Sequence, residues 1–284
     1  MIILIVSLLF FLPSLTYGNA TLTLPANYQP LIERLSKDGF DSELLSKLFM
    51  DERAEIIPER MLISLRSKEK EAWYTPFLSP DSILLAKKFL HQNLKQLVQV
   101  EKRFNVDKEV IVAILLVESR FGENKGKHRV IPTLASMAIM DAPDNLQNNF
   151  LILKETEPEL TYEWLENSAQ RRANWAYHEL KCFLTITHDE RVDPLEVKGS
   201  YAGALGMPQF IPSSYMVFAI SKGGFENWLS NKEEAILSIA NYLNLHGWKK
   251  GMSMERKRKI LWYYNHSDPY IETILKVAQK IKGK

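Results

Sequence analysis

Glu118 stands where a carboxyl group can work as an acid. Eight consecutive apolar residues, Val110-Ile-Val-Ala-Ile-Leu-Leu-Val117, run directly into it, and Ser119-Arg-Phe-Gly122 follows. A run with no polar face predicts a helix buried on all sides. A carboxyl at its C-terminal end lies against a desolvated core and near the negative pole of the helix dipole, and both effects disfavour the ionised form. A carboxyl that keeps its proton near neutral pH is what general-acid catalysis requires. A glutamate paired with Arg120, or with another cation at a helix end, would leave the same trace.

A second segment bears on that choice. Lys198-Gly-Ser-Tyr-Ala-Gly-Ala-Leu-Gly-Met-Pro-Gln-Phe-Ile-Pro-Ser-Ser-Tyr215 holds three glycines within eight residues, then Gln209 and two prolines. Glycine lets a backbone approach a ligand closely. Ser200, Tyr201, Gln209 and Tyr215 offer the hydroxyl, amide and aromatic surface that a sugar needs. A structural turn between helices is the competing reading. No second acid lies between Gly199 and Tyr215, so the usual pair of glycosidase carboxyls is not evident here.

Other chemistries are excluded by spacing. Gly122 to Lys127 has three residues between its glycines and a histidine after Lys127, so it is not a phosphate loop. His178-Glu179 lacks the second histidine of a helical zinc motif, and no Gly-x-Ser-x-Gly elbow occurs. No metal or cofactor is expected. The single cysteine, Cys182, lies in an apolar-periodic stretch and reads as an inert buried thiol. With 36 basic and 34 acidic residues there is no global field to favour nucleic acid.

Helix signals surround these residues. Ser79-Pro80-Asp81 opens a long apolar-periodic stretch that continues to Val98, and Asp107 is placed to cap the helix that carries Glu118. Ile131-Pro132 opens another helix; Asn231 begins one that Gly247 stops; Asp268-Pro269 opens the last. No sustained period-two alternation appears, so the fold class is mainly α. Residues 1–20 carry no ionised side chain and hold an apolar run too short to span a bilayer, which suits an export signal cleaved near Gly18 or Ala20. A retained membrane anchor is the alternative, and no cysteine near the cleavage region allows lipid attachment. Residues 21–78 read as short helices broken by prolines. Residues 79–284 carry the chemistry, with a polar excursion at about 140–167.

Taken together, the motifs resemble the lytic murein transglycosylase B family. They are Val117-Glu-Ser-Arg-Phe-Gly122, Gly126-Lys-His-Arg129, Arg171-Arg-Ala173, Asp193-Pro-Leu195, Lys198 to Tyr215, Ala240-Asn-Tyr242 with His246-Gly-Trp248, and Tyr264-Asn-His-Ser267. Each is weak alone; their order over about 150 residues is specific. The resemblance implies a lysozyme-like catalytic core with an additional helical substrate-binding region, acting on peptidoglycan as a periplasmic monomer. It implies that Glu118 is the catalytic acid/base. It implies that Ser200, Gln209, Tyr242 and Asn265 line the glycan site, that Arg171 and Arg172 face the strand or its peptide, and that Tyr74 matches a further site tyrosine.

The mechanism the resemblance implies uses one carboxyl group. Glu118 protonates the oxygen linking N-acetylmuramic acid to N-acetylglucosamine, the substrate's acetamido group stabilises the anomeric centre, and Glu118 then takes the proton of the C6 hydroxyl as a 1,6-anhydro ring closes. A hydrolytic muramidase on the same scaffold and a non-catalytic wall-binding protein are the alternatives. Two departures from the family pattern stand out. Ser221 to Trp228 lacks the Asp-rich ligand set of a calcium loop, so no calcium site is expected, and the stretch Met140–Asn167 is longer than the pattern.

Overall fold

The computed structural model describes residues 28–66 and 70–283, so the expected export signal over residues 1–20 lies outside the described residues. The chain is mainly α. The N-terminal part folds as α1 (Gln29–Lys37), α2 (Ser42–Met50) and α3 (Pro58–Arg66). Pro30 occupies the first turn of α1, where its missing N–H costs no hydrogen bond. Asp41 caps α2 by accepting from Glu43 N and Leu44 N.

Ser79 caps α4 (Pro80–Gln92) by accepting from Ser82 N at 3.2 Å. The apolar stretch that read as one helix to Val98 breaks at Asn93, whose φ of −113° separates α4 from α5 (Leu94–Phe104). The break lets two amphipathic faces turn separately onto the core. The apolar run forms α6 (Lys108–Ser119), every residue from Glu109 to Ser119 being buried. It packs against α4, α5 and two helices from the far end of the chain, α12 (Lys232–Leu245) and α14 (Asp268–Lys282).

Asp107 precedes α6 as expected, but its side chain makes no cap. Its Oδ2 accepts from Trp248 Nε1 at 3.0 Å and from Lys257 Nζ at 3.2 Å. A carboxylate this buried is held best by a charge-assisted pair, so Asp107 ties the start of α6 to the C-terminal segments.

The two-residue strand β1 (His128–Arg129) leads into α7 (Val130–Ala138), then α8 (Pro143–Thr156) and the 28-residue α9 (Tyr162–Asp189). The polar stretch at about 140–167 is therefore α8 and the start of α9, packed inward through Leu146, Asn149, Leu153, Leu160 and Leu165. Strand β2 (Lys198–Gly199) pairs antiparallel with β1, setting His128 opposite Gly199. There follow α10 (Pro212–Phe218), α11 (Phe225–Trp228), α12 (Lys232–Leu245), α13 (Met254–Tyr264) and α14 (Asp268–Lys282). Asn231 caps α12 as expected, whereas the cap of α14 is Ser267, accepting from Tyr270 N.

One hydrophobic cluster runs from Tyr28 to Ile281, so the N-terminal helices share the core of the rest of the described chain. Among the described residues, no helix is long and apolar enough to cross a membrane.

Candidate active site

Glu118 is one residue from the end of α6 and only 1% exposed. The chain leaves the helix through three successive positive φ values, at Arg120, Phe121 and Gly122. That turn sends Arg120 outward, where its Nε bonds Glu123 at 2.9 Å, so the Glu118–Arg120 pair that the sequence left open does not form. Phe121 stacks on Phe89 of α4, with ring centroids 4.1 Å apart.

One partner of Glu118 is Tyr270, in the first turn of α14. Its hydroxyl donates to Glu118 Oε1 at 2.7 Å. Burial and the adjacent carboxyl push the Tyr270 and Tyr264 hydroxyls well above the usual phenol range, so both keep their protons. The other buried carboxyls among the described residues serve the scaffold. Glu101 and Glu109 pair with Lys108, Asp107 holds Trp248, Glu179 accepts from Ser213, and Glu234 accepts from the backbone of Lys222 and Gly223.

Aromatic rings pack around Tyr270. Tyr270 lies edge-on to Tyr74 at 6.1 Å and stacks with Tyr264 at 6.3 Å, and Tyr264 meets Tyr242 at 4.8 Å. Tyr242 also packs on Phe210, Phe218 and His246. Tyr74 and Tyr242, named from sequence as binding residues, are both buried and are linked to Tyr270 by a column of rings that starts before α4 and passes through α14 and α13 to α12. Tyr264 belongs to a motif noted in the sequence but was not singled out, and Tyr270 was missed. The available signal was a tyrosine on the buried face of the last helix, since a buried phenol must find a hydrogen-bond partner.

The glycine-rich loop is fastened from within. Ser200 Oγ accepts from Ala202 N and Ala204 N, at 3.1 and 3.0 Å. Gln209 adopts φ +53° and donates its amide to Gly206 O at 2.7 Å and Lys125 O at 3.3 Å. Tyr264 reaches the same loop, donating to Pro208 O at 2.6 Å. Sequence reading left the glycines between close approach of a ligand and a structural turn; the described structure shows close approach within the protein. A Cβ on Gly126 would lie 1.9 Å from Gly199 O, and one on Gly199 would lie 2.3 Å from Ala204 O. Asn265, 1% exposed, ends α13 in extended conformation beside Tyr264.

Arg171 and Arg172 lie on α9. Arg171 is exposed and donates to Ser168 Oγ, while Arg172 is half-buried and donates to Ser64 Oγ on α3 at 3.2 Å. Cys182 is only partly buried where the sequence reading had it buried, and burial still pushes its thiol up to about 11. Among the described residues no cluster of His, Cys, Asp and Glu could hold a metal ion.

Comparison with known proteins places the chain by family and fold. The family model described as the transglycosylase SLT domain matches residues 24–260. Membrane-bound lytic murein transglycosylase B of Escherichia coli (strain K12) is 30% identical over 239 residues, covering 79% of this chain. The chain spans 58% of that relative's length. Soluble lytic transglycosylase SltB1 from Pseudomonas aeruginosa superposes with a TM-score of 0.68 at 24% identity, covering 89% of this chain and 97% of that one. Escherichia coli Slt35 in complex with bulgecin A gives 0.69 at 24% identity, over 89% of this chain and 92% of that one. SltB3 from Pseudomonas aeruginosa, in complex with NAG-anhNAM-pentapeptide, gives 0.69 at 19% identity, over 90% of this chain and 79% of that one. These structures share the fold. An acid at the end of a buried apolar helix, a loop fastened beside it and a family match across most of the sequence lead to one conclusion: the chain belongs to the transglycosylase SLT domain family.

Proposed function

We propose that this protein is a lytic murein transglycosylase. It cleaves the β-1,4 bond between N-acetylmuramic acid and N-acetylglucosamine and leaves a 1,6-anhydro-muramic end. The observation that carries the reading is the buried Glu118 carboxyl, set by α6 against a desolvated core and hydrogen-bonded by Tyr270. Burial favours the protonated acid that the first step needs. The Tyr270 hydroxyl steadies the carboxylate that the same step creates.

In the first step the Glu118 proton passes to the glycosidic oxygen, the C1–O bond breaks and the N-acetylglucosamine side leaves as an alcohol. The acetamido oxygen of the muramic residue shares the positive charge at C1. In the second step Glu118 takes the C6 hydroxyl proton, O6 bonds C1 and the carboxyl is restored. No water is consumed. Ser200 and Gln209 hold the glycine-rich loop, Tyr74 and Tyr242, 1% and 5% exposed, back the site as packed rings, and Asn265 positions the acetamido group. Arg171 and Arg172 receive the strand or its peptide. The substrate lies in the cell envelope, reached through export directed by residues 1–20.

Glu118→Gln tests this on purified sacculi. The variant should fold and bind murein while release of anhydro-muropeptides falls below detection. Full activity in the variant would refute the assignment. Products heavier by one water would show hydrolysis and refute the intramolecular ring closure.

A further inference from the structure

The site carries a second device, made of donors without acceptors. Arg60 and Ser64 are one turn apart on α3, so they share a face. Arg172 donates to Ser64 at 3.2 Å, which brings a second arginine, from α9, onto this helix. Arg60 Nη2 bonds His128 Nδ1 at 2.8 Å, and Arg60 Nε is buried with no acceptor among the described residues. Burial and the charges of Arg60 and Lys127 push the His128 imidazole down to about 4, so near neutral pH it is uncharged and accepts from Arg60. Trp175, one helical turn beyond Arg172 on α9, packs against Ala204 and Ile211 and likewise has a buried Nε1 with no acceptor.

Among the described residues no carboxylate forms an ion pair with these groups, and the neighbouring Glu59 offsets only part of the burial that lowers the Arg60 pKa. Among the described residues, the arginines in ion pairs are Arg53, Arg120 and Arg258. A half-buried arginine that gives one nitrogen to a neutral imidazole and leaves another unmatched is poorly explained by stability, since unmatched buried donors cost free energy. It is suited to an anion. Its place also matters: His128 pairs with Gly199, the residue before Ser200, so the arginine is anchored to the loop beside Glu118.

We propose that Arg60, braced by His128, recognises a carboxylate carried by the glycan strand. This rests on the transglycosylase reading above. The fork of a guanidinium takes a carboxylate with two parallel hydrogen bonds, and His128 fixes the fork's orientation. The carboxylate has two sources in murein: the peptide attached to muramic acid, or the lactyl group of a muramic acid whose peptide has been removed.

The test compares three substrates with the full-length protein: peptide-bearing glycan oligomers, the same oligomers freed of peptide by an amidase, and the freed oligomers with the lactyl carboxyl converted to its methylamide. Arg60→Ala should raise KM by roughly tenfold to a hundredfold on one carboxylate-bearing substrate, the usual worth of a charge-assisted hydrogen bond. It should leave kcat within about twofold, and leave the methylamide substrate unchanged, which also shows that the variant folds. Loss confined to the peptide-bearing oligomers identifies the peptide as the source; loss confined to the freed oligomers identifies the lactyl group. Arg60→Lys, which keeps the charge without the fork, should fall between wild type and Arg60→Ala. Equal loss on all three substrates, or no loss on any, overturns the proposal. Wild-type inactivity on all three would instead overturn the transglycosylase reading.

Discussion

Tyr270→Phe isolates the hydrogen bond that meets the candidate acid. The substitution deletes one oxygen and keeps the ring, so the contacts with Tyr74 and Tyr264 persist. The lost bond is 2.7 Å long and joins a hydroxyl at 0% exposure to a carboxyl at 1%. Water is not at hand to replace it, and a hydrogen bond to a charged group is worth about 1.5–3 kcal/mol. The tyrosine remains the donor throughout, because burial and Glu118 hold its proton. The bond therefore stabilises the ionised carboxyl more than the neutral one. Removing it raises the free energy of the species in which Glu118 has given up its proton. The rate of bond cleavage should fall roughly tenfold to a hundredfold. The basic limb of the pH–rate profile, where Glu118 loses the proton it must donate, should move to higher pH. Anhydro-muropeptide release across a pH series, with KM and kcat separated, reads both effects. An unchanged rate, or a basic limb that moves down, would refute the reasoning.

Further outcomes follow from local geometry. Gly126→Ala must lose several kcal/mol in backbone strain and overlap, because its φ of +89° and a Cβ 1.9 Å from Gly199 O leave no room; a wild-type melting temperature would contradict this. His128 is held below its unfolded value of 6.5, near 4, so the folded state resists protonation. Its contribution is present above pH 6.5 and lost as pH falls toward 4. The stability difference between wild type and His128→Gln should therefore shrink or reverse over that window, and a pH-independent difference in denaturant titrations would dispose of the idea. Trp248→Phe leaves Asp107 without one buried donor and should destabilise by about 1–3 kcal/mol, measured by urea unfolding, with loss of the α6 anchor.

The buried position of Glu118 was legible because its signal is local. A run of eight apolar residues forces a buried helix, and the residue that ends the run inherits a desolvated, electrostatically negative position. Start signals were legible for the same reason: Ser79 and Asn231 cap the helices they precede. Asp107 misled because a capping position does not oblige the side chain to cap; a buried Trp248 N–H competed for it and won. The glycines were legible as sites of close approach, and the sequence left open whether a ligand or the protein's own turn approaches. Composition shows that a Cβ is absent, and only the packed chain shows that Gly199 O fills the space.

The sequence by itself determined the mainly α class, the buried helix of Glu118 and the set of motifs that must converge on it. Those follow from periodicity, caps and short-range electrostatics, which act between residues close along the chain. The pairing of Glu118 with Tyr270 was decided only by the tertiary structure, because Tyr270 is 152 positions away and nothing local marks it as a donor to that carboxyl. The same holds for Arg60, whose role depends on His128 being 68 residues distant and yet 2.8 Å away. Such pairings arise when helices from both ends of the chain pack on one core, and packing joins faces of elements whose separation in sequence carries no trace of the contact.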